Sequence, residues 1–224
     1  MRTDESRSTM ILLFGNAIFC APDVVNEQLV SFFGNLLDGL NSDSSIVSRM
    51  ASRLIEDNAA VLSEVMSSNV DDLIPAIISF IRAGNQIEGS ILLVTVLNHV
   101  YNTDTVIESS LAFVYEMCQS NDINLSFMGF RSLVALIQKS YEFVSTNASQ
   151  LFQLLLANIP VVNEATAPIL KCLATIGEQF PDLLIPSIPH ILDLTLGTQT
   201  NDNAFMLLEI VSFYDSIAAS MDEL

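Results

Sequence analysis

The chain reads as an all-α protein, an α-α superhelix of antiparallel helix pairs. Three observations predict it. First, Asp71-Asp72-Leu73-Ile74-Pro75-Ala76-Ile77 returns as Asp182-Leu183-Leu184-Ile185-Pro186-Ser187-Ile188, 111 residues further on. Two weaker relatives lie between, Asp104-Thr105-Val106-Ile107 and Asn147-Ala148-Ser149-Gln150-Leu151, so the steps are 33, 43 and 35 residues. A period of that size, with two helices per unit, is the mark of a helical solenoid. Second, long stretches place apolar residues three and four apart and are separated by short polar breaks. Third, Val, Ile and Thr never alternate with polar residues over a useful length, and no Asn-Gly or Asp-Gly hairpin signal occurs.

Taken in order, residues 1–9 are polar and charged and read as a flexible tail, leaving 10–224 as one solenoid domain. Residues 10–20 read as an apolar helix. Pro22-Asp23 restarts the chain, because proline and an acid suit a first helical turn, and the spacing predicts a helix through Leu40. Asn41-Ser42-Asp43-Ser44 breaks it with capping chemistry before a helix over about 44–56. A shorter helix follows Asp57-Asn58, from Ala59 to Met66. Helices are then predicted over about 72–82, ending at Ala83-Gly84-Asn85, and about 87–101, with Ile87, Ile91, Val94 and Asn98 one turn apart. The next pair is about 104–118 and 122–144, the second marked by Phe127, Phe130, Leu133, Val134 and Ile137. The third is about 148–158 and 163–180. The fourth opens at Pro181; Pro186 and Pro189 are costly in a helix interior, so this helix bends or begins late. The last helix covers Asn203 to Ala219, with Leu207, Leu208, Val211 and Tyr214 on one face.

The chain has 224 residues, half of them apolar, with a mean hydropathy of +0.47. That supports a sizeable core and argues against disorder. Lys plus Arg number 8 and Asp plus Glu 26, a net charge of −18. Phosphate backbones and anionic lipid would repel such a surface, so nucleic acid is not an expected partner and a basic protein segment is. No apolar run reaches the ~18 residues of a membrane span. Cys20, Cys118 and Cys172 are odd in number and far apart, which suits buried thiols in a reducing compartment. Met10–Ala21 has the length of a signal-peptide core, the chain ends Met221-Asp222-Glu223-Leu224, and two glycosylation sequons occur. Asp4 and Glu5 cancel the nearby arginines, Asn16 interrupts the run, and bulky Phe19 stands three residues before a cut after Ala21, all against a secretory reading.

His99 and His190 have no Cys, Asp or Glu at ligand spacing, and no phosphate loop, nucleophile elbow or calcium-loop order is present. The chain is therefore read as non-enzymatic, with no cofactor and no metal. Glu88, Asp122, Glu164 and Asp202 each stand near the start of a second helix. They have two readings. One is favourable contact with the helix dipole and capping, worth about 0.3–1 kcal/mol each. The other is a ladder of acids along a groove, which Glu209 and Asp215 extend, suited to a basic linear segment. The apolar terminal helices, 10–20 and 203–219, either pack inward or are covered by more solenoid, a partner or a second copy, so self-association through them is an expectation too.

Leu73-Ile74-Pro75-Ala76-Ile77 and Leu184-Ile185-Pro186-Ser187-Ile188 resemble the proline-containing first helix of HEAT repeats. Asp43, Val47, Arg49 and Ala51 resemble the turn and second helix of the same unit. Ala165, Ala167, Leu173 and Ile176, running into Glu178-Gln179-Phe180-Pro181, resemble a second helix entering the next unit. Over residues 22–219 the acidic, apolar, weakly repeating character is most similar to the importin-β (karyopherin) superfamily, although most second helices lack that family's early arginine. The resemblance implies an armadillo-like solenoid in the cytoplasm or nucleus that binds a basic cargo or regulatory segment in nucleocytoplasmic transport, with a small GTPase as a further partner. The alternative it implies is a HEAT scaffold or adaptor subunit, as of a phosphatase or a trafficking complex.

Overall fold

The computed structural model describes residues 4–20, 28–101, 103–159 and 166–191. Among them there are eleven α-helices and no strand. These are α1 (Asp4–Cys20), α2 (Leu29–Leu40), α3 (Ser45–Asp57), α4 (Ala59–Ser68), α5 (Val70–Arg82), α6 (Gln86–His99), α7 (Thr103–Cys118), α8 (Ile123–Lys139), α9 (Tyr141–Asn158), α10 (Thr166–Gln179) and α11 (Pro181–Leu184). A 3₁₀ turn, Ile185–Ser187, follows α11, and 188–191 is again helical. That turn contains Pro186, so the bend expected of the proline is present. Helix α1 begins at Asp4, inside the stretch read as a tail. The helix expected at 203–219 lies outside the described residues, as does the start of the one expected from Pro22.

Two compact units partition the chain, Met1–Val114 and Tyr115–Leu224. In the first, α3 packs on α2, α1 and α6, while α2 also packs on α5, and α6 on α5 and α4. Phe14 of α1 stacks on Phe32 of α2 with ring centroids 3.6 Å apart. In the second unit, α10 packs on α8, α9 and α11, and α8 touches α9. Helices therefore meet mainly as sequence-adjacent pairs and as second helices of successive pairs.

The ends of these helices explain where the chain turns. A helix leaves four donors and four acceptors without intrahelical partners. Asparagine answers the acceptors. The side-chain amides of Asn41, Asn58, Asn69 and Asn158 donate to the carbonyls of Leu37, Leu54, Val65 and Leu154, each four residues back. After α5 the stop is Gly84, whose φ of +101° only glycine holds without strain. Asp122 caps α8, accepting from the amides of Asn124 at 2.9 Å and Leu125 at 3.1 Å. Ser44 stands at the N-cap of α3 in extended conformation, but its side chain makes no capping bond.

One break was expected elsewhere. The periodicity predicts a single helix over 122–144 and a new one at 148. Instead α8 stops at Lys139, Ser140 accepts from the amide of Phe143 at 3.1 Å, and α9 runs through 147–151 without interruption. The buried Ser140 sits in register between Ile137 and Val144, so the apolar spacing continues across the cap and hides it. With this correction the first helices start at Val70, Thr103, Tyr141 and Pro181, steps of 33, 38 and 40 residues. The α6 stripe also differs. Ile87, Ile91 and Asn98 face solvent, and the core side is Leu92, Leu93, Val96 and Leu97. This helix is apolar nearly all round, so two stripes compete on paper.

The α7–α8 turn shows how closely paired helices approach. Ser126 donates to the carbonyl of Cys118 at 3.0 Å, a last-turn acceptor of α7. Gly129, one turn on, leaves no room for a side chain. A Cβ there would stand 2.6 Å from the Cys118 amide nitrogen and 2.8 Å from the Met117 carbonyl carbon. Gly129→Ala is expected to destabilise the fold by about 1–3 kcal/mol through overpacking. Gly34→Ala, on the exposed face of α2 with nothing within 4 Å, is expected to stabilise it by about 0.5–1 kcal/mol. Urea unfolding followed by circular dichroism checks both signs.

Cys118 and Cys172 are buried and free, and burial pushes both thiols well above their ordinary range. In a Cys20→Ser background at pH 8, neither is expected to react with a disulfide reagent until guanidinium is added. Prompt labelling in the native state would contradict their burial.

Candidate functional site

Of the six acids expected to form a groove ladder, Glu88 and Asp122 are described; Glu164, Asp202, Glu209 and Asp215 lie outside the described residues. Asp122 is bound to two backbone amides as the cap of α8. Glu88, in the first turn of α6, lies 3.7 Å from Arg49 of α3, and the same guanidinium donates to the Asn85 side chain at 3.4 Å. Both carboxylates thus have local partners, and Glu88 is already matched by a cation.

A different pattern emerges when charge is sorted by helix. The leading helix of each pair (α2, α5, α7, α9, α11) bears eight carboxylates and a single cation, Arg82. The trailing helices (α3, α6, α8, α10) bear four carboxylates and five cations: Arg49, Arg53, Arg131, Lys139 and Lys171. Every one of the eight leading-helix carboxylates is exposed. Among the described residues, the leading helices are therefore more negative than the trailing ones. Asp122 caps α8 just outside this count, and Glu164, Asp202, Glu209 and Asp215 lie outside the described residues. Arg82 is partly engaged by Phe113, its guanidinium 5.2 Å from the ring centroid, and Arg131 sits over Phe127 at 5.8 Å. On α3, burial and then the adjacent Asp57 raise the Glu56 carboxyl above its usual range, with Arg53 pulling it back.

In the first unit the segment after α6 carries an aromatic residue placed by hydrogen bonds to α4. The Tyr101 amide donates to the Ser67 hydroxyl at 2.9 Å, and its phenol donates to Ser63 at 3.3 Å. Ser63 and Ser67 are one turn apart on α4, so the ring is held along that helix at both ends. It remains 73% exposed. Glu64 adjoins Ser63 on α4, and Asp104 stands in the first turn of α7, three residues after the tyrosine; both are exposed. An accessible aromatic ring face is an acceptor for a lysine or arginine side chain. Sequence reading did not find Tyr101. The pairs that fix it are 34 and 38 residues apart, and only Ser63 and Ser67, at four-residue spacing, hint at it.

His99 donates from Nδ1 to the Thr95 carbonyl at 2.8 Å, and His190 is exposed. Among the described residues no group of three or more His, Cys, Asp or Glu could hold a metal ion, and no helix is long and apolar enough to cross a membrane.

No protein-family model matches the chain, and no curated protein matches it. Among solved structures it is similar to an engineered protein crystallised by the Northeast Structural Genomics Consortium. The TM-score is 0.66 and the identity 15%, over 93% of this chain and 90% of that one. At this identity the likeness is one of fold alone.

Replacing Asp122 by Ala is expected to cost about 0.5–2 kcal/mol, the value of an N-cap. Glu88→Gln, at an exposed ion pair, is expected to cost about 0–1 kcal/mol. Denaturant titration of the two variants separates a capping acid from a surface one.

Proposed function

We propose that the chain is a non-enzymatic, protein-binding solenoid of HEAT-like helix pairs, karyopherin-like in taking a basic segment of a partner or cargo in the cytoplasm or nucleus. The observation that carries this reading is Tyr101, held along α4 by Ser63 and Ser67 with its ring open to solvent, while exposed Glu64 follows Ser63 and exposed Asp104 follows the tyrosine by three residues in the chain. A bound lysine or arginine would lay its charge over the ring. The acids of the leading helices would raise the encounter rate of a cationic segment, and that steering weakens as salt rises. The helix-pair packing within each unit supports the solenoid part of the proposal. The exposed acids of the described leading helices would serve as a second acidic surface in addition to the helix-start ladder of Glu88, Asp122, Glu164 and Asp202.

Fluorescence anisotropy with a lysine- and arginine-rich import-type peptide tests this, using a glutamine-substituted peptide as control. The basic peptide is expected to bind and the control not. The combined change Tyr101→Ala, Glu64→Gln, Asp104→Asn is expected to raise Kd about tenfold, or about 1.4 kcal/mol, and to flatten its salt dependence. Equal affinity for the two peptides would remove the transport-receptor reading and leave the scaffold reading of the same fold.

A further inference from the structure

An aromatic residue stands at or beside each of three successive connections from a trailing helix to the next leading helix. Tyr101 follows α6, Tyr141 is the first residue of α9, and Phe180 lies between α10 and α11, at steps of 40 and 39 residues. The last two share the second unit and are in contact. Their ring centroids are 6.4 Å apart and their planes 21° from parallel, within the range of an offset stack. Phe180 is half-buried, whereas Tyr141 is 66% exposed. Phe180 therefore backs one side of the tyrosine ring, and the other side is left to water.

The charges that accompany this pair are mostly of one sign. Within three residues of either ring in the chain stand Glu142, Glu178 and Asp182, all exposed. The cation in the same span is Lys139, which is half-buried and already engaged within the fold. The second unit's other lysine and arginine lie further along their helices: Arg131 sits over Phe127, and Lys171 is two helical turns before Glu178. A cation is what such a ring takes, and a flat one suits it best. A guanidinium stacks on an aromatic face and still turns its N–H fork outward to a carboxylate, whereas an ammonium is a compact, strongly hydrated charge.

We propose that the exposed face of Tyr141, backed by Phe180, is a second binding site, and that it takes an arginine side chain of a basic protein segment. Glu142, Glu178 and Asp182 supply the attraction, and the ring supplies the surface on which the guanidinium lies. The proposal rests on the basic-partner reading for the class of partner. It uses none of Tyr101, Glu64 and Asp104, and it adds a preference that the first site does not require, arginine over lysine.

Fluorescence anisotropy on the full chain tests this in the Tyr101→Ala, Glu64→Gln, Asp104→Asn background, where the first site is removed. Three labelled peptides of one design carry arginine, lysine or citrulline, the last planar and uncharged. The arginine peptide is expected to bind this background, the lysine peptide more weakly, and the citrulline peptide not at all. Tyr141→Leu keeps an apolar side chain against Phe180 but removes the π face. It should raise the Kd of the arginine peptide about two- to fivefold, and Tyr141→Phe should leave it unchanged. Glu142→Gln with Asp182→Asn, both at exposed positions, should also weaken binding and reduce its salt dependence. Circular dichroism checks that each variant folds; if Tyr141→Leu does not, the carboxylate pair decides. Unchanged affinity in the folded leucine variant or in the carboxylate pair, or equal binding of arginine and citrulline, would overturn the proposal. If wild type binds the arginine peptide and the background does not, the basic-partner reading stands through Tyr101 and this second site falls. If the background binds as tightly as wild type, the second site stands and the Tyr101 site falls.

Discussion

Short helices that turn often must satisfy many backbone donors and acceptors away from water, and the fold depends on how this is done. Half the residues are apolar, so few polar side chains are spare. Many of those present are used at helix ends. Four asparagines return an amide to the carbonyl a turn back, Asp122 and Ser140 take free amides, and Ser126 reaches across a turn to the Cys118 carbonyl. Each such bond is modest, about 0.5–1.5 kcal/mol net, but leaving a buried partner unmet costs about 1–3 kcal/mol. The closing side chains therefore set where the chain reverses, and the reversals set which helices lie together.

Helix pairing then decides the surface. Leading and trailing helices bury comparable apolar stripes, yet their exposed faces differ in charge. A contact such as Arg49 with Asn85 and Glu88 joins two trailing helices, α3 and α6, and a surface made only of acids could not provide it. Repulsion among carboxylates on the leading helices is relieved by exposure to water and salt. Among the described helices the leading set is the more negative of the two.

Most helices were legible because their periodicity is long and their breaks contain Gly, Asn, Asp or Ser. The Ala83-Gly84-Asn85 stop, the break at Asp57-Asn58 and the start at Ile123 are where local chemistry puts them. Ser140 was missed because a buried serine keeps the apolar spacing intact, and the sequence does not say which side of α6 is buried because Ile87 and Ile91 spell as good a stripe as Leu93 and Leu97. The candidate site was far less legible. Acids at helix starts were visible, but their local partners were not: Arg49 precedes Glu88 by 39 residues, and Asp122 shows its role only once its amide partners are seen. Tyr101 acquires meaning only from α4, about one whole repeat before it.

The joints are not equal in length. Asn58, Asn69 and Ser140 each link two helices alone, whereas 41–44, 83–85 and 119–122 are loops of three or four residues. A one-residue joint has no slack: adding or removing a residue there would rotate the following helix about its axis by about 100° and turn its oily side outward. The loops can lengthen at little entropic expense. Divergent descendants of this chain should accordingly vary in size at those three loops and hold a constant count across the asparagine and serine joints.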